Sequence, residues 1–171
     1  DLAPDLHETF LRALEEDPYK QYVYLATLLE PEKKSTADGG PFKRLENWMV
    51  ERYVQLMCKY NPSHVADFVD VLQVGDLRLE EVLPSLEGSG VVDAAVVLLA
   101  RQGQVRTAMD RLIAHLGTLE SALVGILQNA GESPDSASTA EAVSDLVASL
   151  DKYVRVGTWL CEGQAKTAKR S

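Results

Sequence analysis

Apolar positions along the chain recur mostly at spacings of three and four residues, which is the repeat of one face of an α-helix. The clearest stripe starts at Val105 and stays in phase as far as Leu127, passing through Gly117. Before it, Val91–Arg101 is apolar on nearly every side, which is typical of a helix covered by neighbours. The dipeptide Gln102-Gly103 separates the two segments. The residue after a helix end often has a left-handed backbone conformation, which glycine adopts readily. The pattern predicts two helices folded back on each other.

The same spacing predicts further helices, with apolar stripes within residues 6–14, 19–29, 42–60, 65–72, 77–86 and 143–160. Asp17-Pro18 predicts a helix start, because an Asp side chain caps the first turn and proline is tolerated there. Asn61-Pro62 repeats this signal before the fourth helix. Phe42 is the predicted first residue of the third helix, and Pro84 predicts a kink or an early end in the fifth.

Two stretches rich in Gly, Pro, Ser or charge, residues 30–41 and 130–137, predict loops. After the second, Ser138 and Glu141 have the spacing of a capping box, which predicts a last helix of roughly five to seven turns. No stretch alternates convincingly with period two. The four valines of Val91–Ala100 would suit a buried strand, but no second strand is available to pair with it. The pattern therefore predicts an all-α protein.

Helix–turn–helix units of about 30 to 40 residues, joined by short links, have the size of stacked helical hairpins. We therefore expect an α-solenoid that covers residues 1–171 as a single fragment, with a compact helical bundle as the alternative. The tetratricopeptide signature of Trp, Gly and Tyr at set places is missing. The chain begins with Asp rather than Met and has no leader-like segment, so we expect it to be a piece of a longer protein.

Charge and cysteine usage narrow the possible partners. A net charge of −9 argues against a nucleic-acid partner, because a phosphate backbone would be repelled. The longest apolar run is about half the length that spans a bilayer, so we expect no direct membrane insertion. Cys58 and Cys161 both fall within apolar helical patterns, which predicts reduced core thiols in an intracellular protein.

Candidate chemistry is sparse. The three histidines, His7, His64 and His115, are scattered, and no CxxC, HExxH, GxGxxG or phosphate-loop pattern is present. Glu15-Glu16 and Glu80-Glu81 are interpreted as solvated faces, because neighbours in sequence point about 100° apart on a helix. We therefore predict no catalytic, cofactor-binding or metal-binding residue, and a protein that is not an enzyme.

The last helix carries the only candidate contact residues. Trp159, together with Tyr153, could meet a partner there, since large aromatic side chains with a polar handle are favoured at interfaces.

Three stretches between Leu56 and Leu127 carry a family resemblance. They are LMCKYNPSHV at Leu56–Val65, LRLEE at Leu77–Glu81, and the DAA…LLARQG…AM hairpin within Asp93–Met109. They resemble the clathrin-heavy-chain-repeat region of the vacuolar protein sorting subunits that tether endosomal and vacuolar membranes, above all the CORVET-specific subunit-eight family. Residues 1–41 and 130–171 contribute little to the resemblance.

The resemblance implies a non-enzymatic scaffold segment of a multisubunit tether, acting in vesicle fusion and endosome-to-vacuole or lysosome trafficking. It implies an α-solenoid between an amino-terminal β-propeller and a carboxy-terminal RING domain, neither of which this sequence contains. The implied partners are other subunits of the tether, and a Rab-family GTPase that the full complex engages through residues not assignable here. The implied location is cytoplasmic, peripheral on endosomes as part of the complex.

Two alternative functions remain open from the sequence. One is a helical-repeat adaptor that binds a peptide or a helix from another partner in a groove. The other is a helical enzyme or ligand carrier with its site inside a bundle, which would require an enclosed apolar cavity with convergent polar groups.

Overall fold

The computed structural model describes residues 4–30, 46–73, 75–129 and 136–168. Within these ranges the protein is all-α, without a strand, which confirms the predicted fold class. The helices are α1 (Pro4–Ala13), α2 (Pro18–Leu29), α3 (Asn47–Tyr60), a 3₁₀ turn (Pro62–His64), α4 (Val65–Val71), α5 (Leu79–Gly88), α6 (Val92–Arg101), α7 (Val105–Asn129) and α8 (Ser136–Ala168). The valine-rich segment that could have been a strand is helix α6.

The chain divides into two compact units, Asp1–Ala94 (unit 1) and Ala95–Ser171 (unit 2), and the boundary falls inside α6. The arrangement of the helices as one solenoid over residues 1–171, or as a bundle, stays a prediction.

Unit 1 is built around α3, which contacts α2, α4, α5 and the 3₁₀ turn. Apolar residues occupy several faces of this helix, and it is accordingly enclosed on several sides. Its buried side chains, with those of its neighbours, form the core of the unit: Leu25, Leu29, Met49, Val50, Tyr53, Val54, Met57, Val65, Phe68, Val69, Val82 and Leu86.

The helix starts in unit 1 follow the sequence signals only in part. The Asp17 carboxylate accepts the Lys20 backbone N–H at 3.1 Å, so the predicted cap of α2 is confirmed. The third helix begins at Asn47 rather than at Phe42, because Glu46 has an extended backbone; residues 42–45 lie outside the described residues. Asn61 does not cap the next turn with its side chain, which accepts a hydrogen bond from the Ser63 hydroxyl instead.

Two glycines in the left-handed region end α5 and α6 in the same way. Gly90 has φ +72° and Gly103 has φ +80°, as predicted for the residue after α6. In each case the next backbone N–H turns back to the helix: Val91 to the Leu86 carbonyl and Gln104 to the Leu99 carbonyl, both at 2.9 Å. These bonds satisfy carbonyls that a helix end leaves open. Pro84 does not end α5, which continues to Gly88.

Unit 2 contains a long helix pair. α7 runs without a break through Gly117, where the in-phase stripe favoured a continuous helix but left a break possible. α8 is 33 residues long, about nine turns, and so exceeds the predicted length. It begins at Ser136, which places Ser138 inside the helix and makes the predicted capping box and the helical end of the predicted loop 130–137 wrong. Residues 130–135 lie outside the described residues, as does most of the predicted loop 30–41.

The two long helices are antiparallel along their contact. The Leu112 side chain of α7 lies against Gly157 of α8, and three residues further along α7 the His115 ring meets the Tyr153 ring, at a centroid distance of 4.4 Å. Position numbers therefore rise on one helix as they fall on the other. A Cβ added at Gly157 would lie 3.1 Å from Leu112 Cδ2, so the glycine allows the helices to approach closely.

Candidate functional site

The two predicted contact residues lie in different surroundings. Tyr153 is only 6% exposed and packs edge-on against His115 within unit 2. Trp159 is 47% exposed on α8, so its indole is accessible. The structure thus offers Trp159, rather than the Tyr153 ring, as an accessible surface; a partner contact at either residue stays a prediction.

Unit 2 also carries exposed apolar side chains on both long helices, which we call the apolar face: Ile113, Val124 and Leu127 of α7 with Val147 and Val154 of α8. The sequence stripe of α7 predicted Ile113 and Leu127 as part of the covered face. They are exposed because they lie to one side of the α7 residues that pack against α8, which include Leu112 and His115. These side chains can do no chemistry, and they are suited to contact with another apolar surface.

An ion pair between a buried carboxylate and a half-exposed guanidinium is the best-defined polar contact in unit 1. Arg78 donates from its backbone N–H and Nε to Glu51 Oε1, both at 2.9 Å, and from Nη2 to Oε2 at 2.8 Å. Glu51 lies inside α3 with 3% exposure. The hydrogen bonds and the positive charge of Arg78 lower the pKa of Glu51 below its ordinary value, against the effect of burial. The pair fastens the start of α5 to α3.

A second polar link joins α1, α2 and α3. The buried Gln21 amide donates from Nε2 to the Leu11 carbonyl at 2.8 Å, and its Oε1 accepts from Arg52 Nε and Nη2 at 3.2 and 2.8 Å. Both links border a groove of about 670 Å³, lined by Glu8, Leu11, Arg12, Glu15, Gln21, Glu46, Trp48, Glu51, Arg52, Gln55, Arg78 and Glu81. Charged and polar side chains dominate this lining, so it is not the enclosed apolar cavity that the enzyme or carrier alternative requires.

A smaller cluster lies where α2 ends. The Tyr53 hydroxyl donates to Glu30 Oε1 at 2.7 Å, and His64 Nε2 is hydrogen-bonded to Glu30 Oε2 at 2.8 Å. Burial, and then the neighbouring Glu30 carboxylate, raise the pKa of Tyr53 above its ordinary value. The hydroxyl therefore keeps its proton, and as a hydrogen-bond donor it ties α3 to the end of α2.

The remaining candidates of the sequence do not converge. His7 is hydrogen-bonded to the Tyr24 hydroxyl at 2.8 Å, and His115 lies in the other unit. In the described ranges no group of three or more His, Cys, Asp or Glu could hold a metal ion. Among the helices that the structure describes, none is both long and apolar enough to cross a bilayer. Cys58 is buried as predicted, whereas Cys161 is exposed and the prediction of a core thiol is wrong there.

Sequence reasoning missed the links made by Glu51 and Gln21, both of which are buried. Their partners lie 27 and 31 residues further along the chain, beyond the reach of any helical spacing rule. The one available signal was a charged residue in the middle of the apolar α3 pattern. A buried charge requires a partner, so such a position predicts a distant arginine or lysine.

In the ranges that the structure describes, the protein is all-helical. Its polar side chains link one helix to another, and unit 2 exposes apolar side chains. A family model described as VPS8-like, TPR-like repeats matches residues 139–171. The match covers most of α8 and lies outside residues 56–127, in a part of the chain that contributed little to the sequence resemblance. No curated protein and no solved structure matches the chain. The match supports a VPS8-related family for this segment.

Proposed function

We propose that this protein is a non-enzymatic helical scaffold segment of a VPS8-type subunit in a multisubunit endosomal membrane tether. The match of α8 to VPS8-like repeats carries the proposal. The all-helical structure is consistent with it, because helical repeats act by holding a shape and presenting surfaces to partners. The proposed location is the cytoplasmic surface of endosomes, reached through the complex.

Within the proposal, the partners are other subunits of the tether. The Rab-family GTPase that such a complex engages is proposed as a partner of the whole assembly. Exposed helix surfaces, Trp159 among them, would make the contacts, and the buried links of Glu51 and Gln21 would keep the helices in place. A role as an adaptor for a peptide remains the second candidate, since a polar groove in unit 1 has the size for a short segment.

The experiment that tests the proposal is affinity purification of the tagged full-length protein from its own cells, followed by quantitative mass spectrometry. We expect vacuolar sorting subunits in near-stoichiometric amounts. Recovery of a single soluble ligand protein instead would favour the adaptor, and the absence of tether subunits under gentle lysis would contradict the proposal.

A further inference from the structure

The exposed apolar side chains of unit 2 lie on one side of its helix pair. With about 100° per residue, Ile113, Val124 and Leu127 fall within about 60° of one another around α7. Val147 and Val154, seven residues apart, fall almost in line on α8. Because α8 runs antiparallel to α7, both stripes flank the α7–α8 contact on the same side. Trp159 lies on the opposite flank of α8.

The other flank of α7 differs in composition. Its exposed residues are polar or small: Arg111, Thr118, Ala122 and Asn129. The apolar face is therefore not the ordinary scatter of hydrophobic residues on a protein surface, where single exposed side chains need no explanation.

A carboxylate lies in the middle of this face. Glu120 is exposed and follows Ile113 by seven residues, so it lies in line with it and between it and Leu127. Among the residues that the structure describes, Glu120 has no ion-pair or hydrogen-bond partner for its carboxylate. Arg106, in line with Glu120 on α7, lies fourteen residues before it, about 21 Å along the helix, and so does not offset its charge. On α8 the exposed Asp151 and Arg155 neutralise each other at 2.7 Å. The face is thus apolar with an uncompensated negative charge at its centre.

We propose that the apolar face is the docking site for an amphipathic helix of a partner protein, whose apolar stripe is flanked by a lysine or arginine that pairs with Glu120. This inference rests on the proposed function, because it names the kind of partner segment that the scaffold holds. A helix laid along a helix pair buries apolar side chains at i, i+3, i+4 and i+7. Such a stripe runs along one side of a helix, as do the side chains of the apolar face, which are spaced by 11 and 3 residues on α7 and by 7 on α8. Burial of the face would strengthen the attraction between Glu120 and the cation, since the local dielectric falls.

The charge argues against two other occupants. A second copy of the chain would bring its own Glu120 and a further charge of −9. An anionic lipid surface would be repelled by Glu120. The partner helix with a basic flank is the occupant that both the apolar residues and the carboxylate favour.

The test uses two fluorescein-labelled helical peptides of about 20 residues with leucine at i, i+3, i+4 and i+7, one flanked by lysine and one by glutamate at the same places. Fluorescence anisotropy with the intact chain should show tighter binding of the lysine peptide. Val154→Asp should weaken that binding about tenfold, because it places a charge in the contact. The matched control is Val71→Asp, at an exposed valine of α4, which should leave the affinity unchanged.

A charge reversal tests the second half of the proposal. Glu120→Lys should reverse the preference, so that the glutamate peptide binds more tightly than the lysine peptide. Glu80→Lys makes the same change in net charge at an exposed position of α5 and should leave the preference as in the wild type. Equal effects of Val154→Asp and Val71→Asp, or of the two glutamate variants, would overturn the proposal.

Two further measurements cover the rival occupants. The first is analytical ultracentrifugation, which detects a dimer, and the second is flotation with phosphatidylserine vesicles, which detects membrane binding. Dimerisation or flotation that is abolished by Val154→Asp would overturn the proposal. Failure of the docking-site proposal can be told apart from failure of the proposed function. If the tether subunits are recovered but the peptide contrasts vanish, only the docking site is wrong; if the peptides discriminate but no tether subunit is recovered, only the tether function is wrong.

Discussion

Glu51 shows how a single residue can organise the packing of a unit. Its carboxylate lies inside α3, where a lone charge would be costly, and three hydrogen bonds from Arg78 make the burial tolerable. The guanidinium itself remains half exposed, so the pair borders the solvent. The cost of removing the carboxylate should therefore be moderate and should depend on pH.

Glu51→Gln should lower the free energy of unfolding by about 1–3 kcal/mol at pH 7, the range for loss of a charged hydrogen bond. The pKa of Glu51 is lowered in the folded state, so the unfolded chain binds its proton first as the pH falls. The contribution is complete above the unfolded pKa, about 4.3, and is lost as the pH falls through the lower folded value. Urea unfolding followed by circular dichroism from pH 7 to pH 3 measures it.

The control for that series is Glu80→Gln, at an exposed glutamate of α5. Its unfolding curve should stay close to that of the wild type at pH 7. A Glu51→Gln deficit that is the same at pH 3 as at pH 7 would mean that the ion pair is not the source of the effect.

The two cysteines should differ sharply in reactivity. Burial raises the pKa of the Cys58 thiol, whereas Cys161 is exposed. Because the thiolate is the reactive form, the native protein should react rapidly with one equivalent of a thiol reagent such as DTNB, and the urea-unfolded protein with two. Cys161→Ser should abolish the rapid phase. A rapid phase that survives this substitution would show that Cys58 is accessible.

At the scale of the elements, the α7–α8 contact depends on a glycine. Gly157 brings α8 against Leu112, and any side chain there would have to displace the leucine. Gly117 lies on α7 with no atom within 4 Å of an added Cβ, so the same substitution meets open space there. The two positions form a matched pair of helical glycines.

Gly157→Leu should lower the free energy of unfolding by about 1–3 kcal/mol, as overpacking does. Gly117→Leu should be neutral or stabilise the protein by up to about 1 kcal/mol, because leucine has the better helix propensity. Thermal unfolding of the two variants beside the wild type gives the comparison. Equal melting temperatures would show that α8 does not approach α7 closely at Gly157.

The helices could be predicted from the sequence because periodicity is local, whereas their ends and contacts could be predicted only in part. Ser136 and Ser138 could each begin the last helix, and the sequence pattern does not distinguish between these two starting points. Cys161 follows the buried Leu160 and is turned about 100° from it, so one position in the apolar pattern separates core from surface. The pattern placed Trp159 on the last helix, which is α8, but its exposure depends on where α7 lies and could not be predicted.

At the scale of the whole molecule, the all-α class followed from the apolar pattern, and the relation to VPS8-like repeats came from a different part of the chain than the resemblance did. The proposed scaffold function requires helices that stay folded and keep their arrangement. Long-range contacts such as Glu51–Arg78 could not be predicted from helical spacing, because the two residues are 27 positions apart along the chain. A substitution in the core of these helices should therefore disturb the fold and, with it, the proposed function.

Leu99→Asp should destabilise the protein by about 3–5 kcal/mol, because it leaves an unpaired charge at a position of α6 that is only 1% exposed. Val71→Asp introduces the same side chain at a valine that is 64% exposed and should have little effect. Circular dichroism during thermal unfolding of both variants measures the difference. A Leu99→Asp variant that melts with the wild type would show that α6 is not part of the core.

The central proposal is that the folded helices hold partner subunits of a tether. Its most direct measurement is the recovery of vacuolar sorting subunits with the tagged full-length protein, by quantitative mass spectrometry, for the wild type, Leu99→Asp and Val71→Asp at matched expression. The account predicts full recovery with the wild type and Val71→Asp and a large loss with Leu99→Asp. Recovery that is equal in all three, or absent from the wild type, would contradict it.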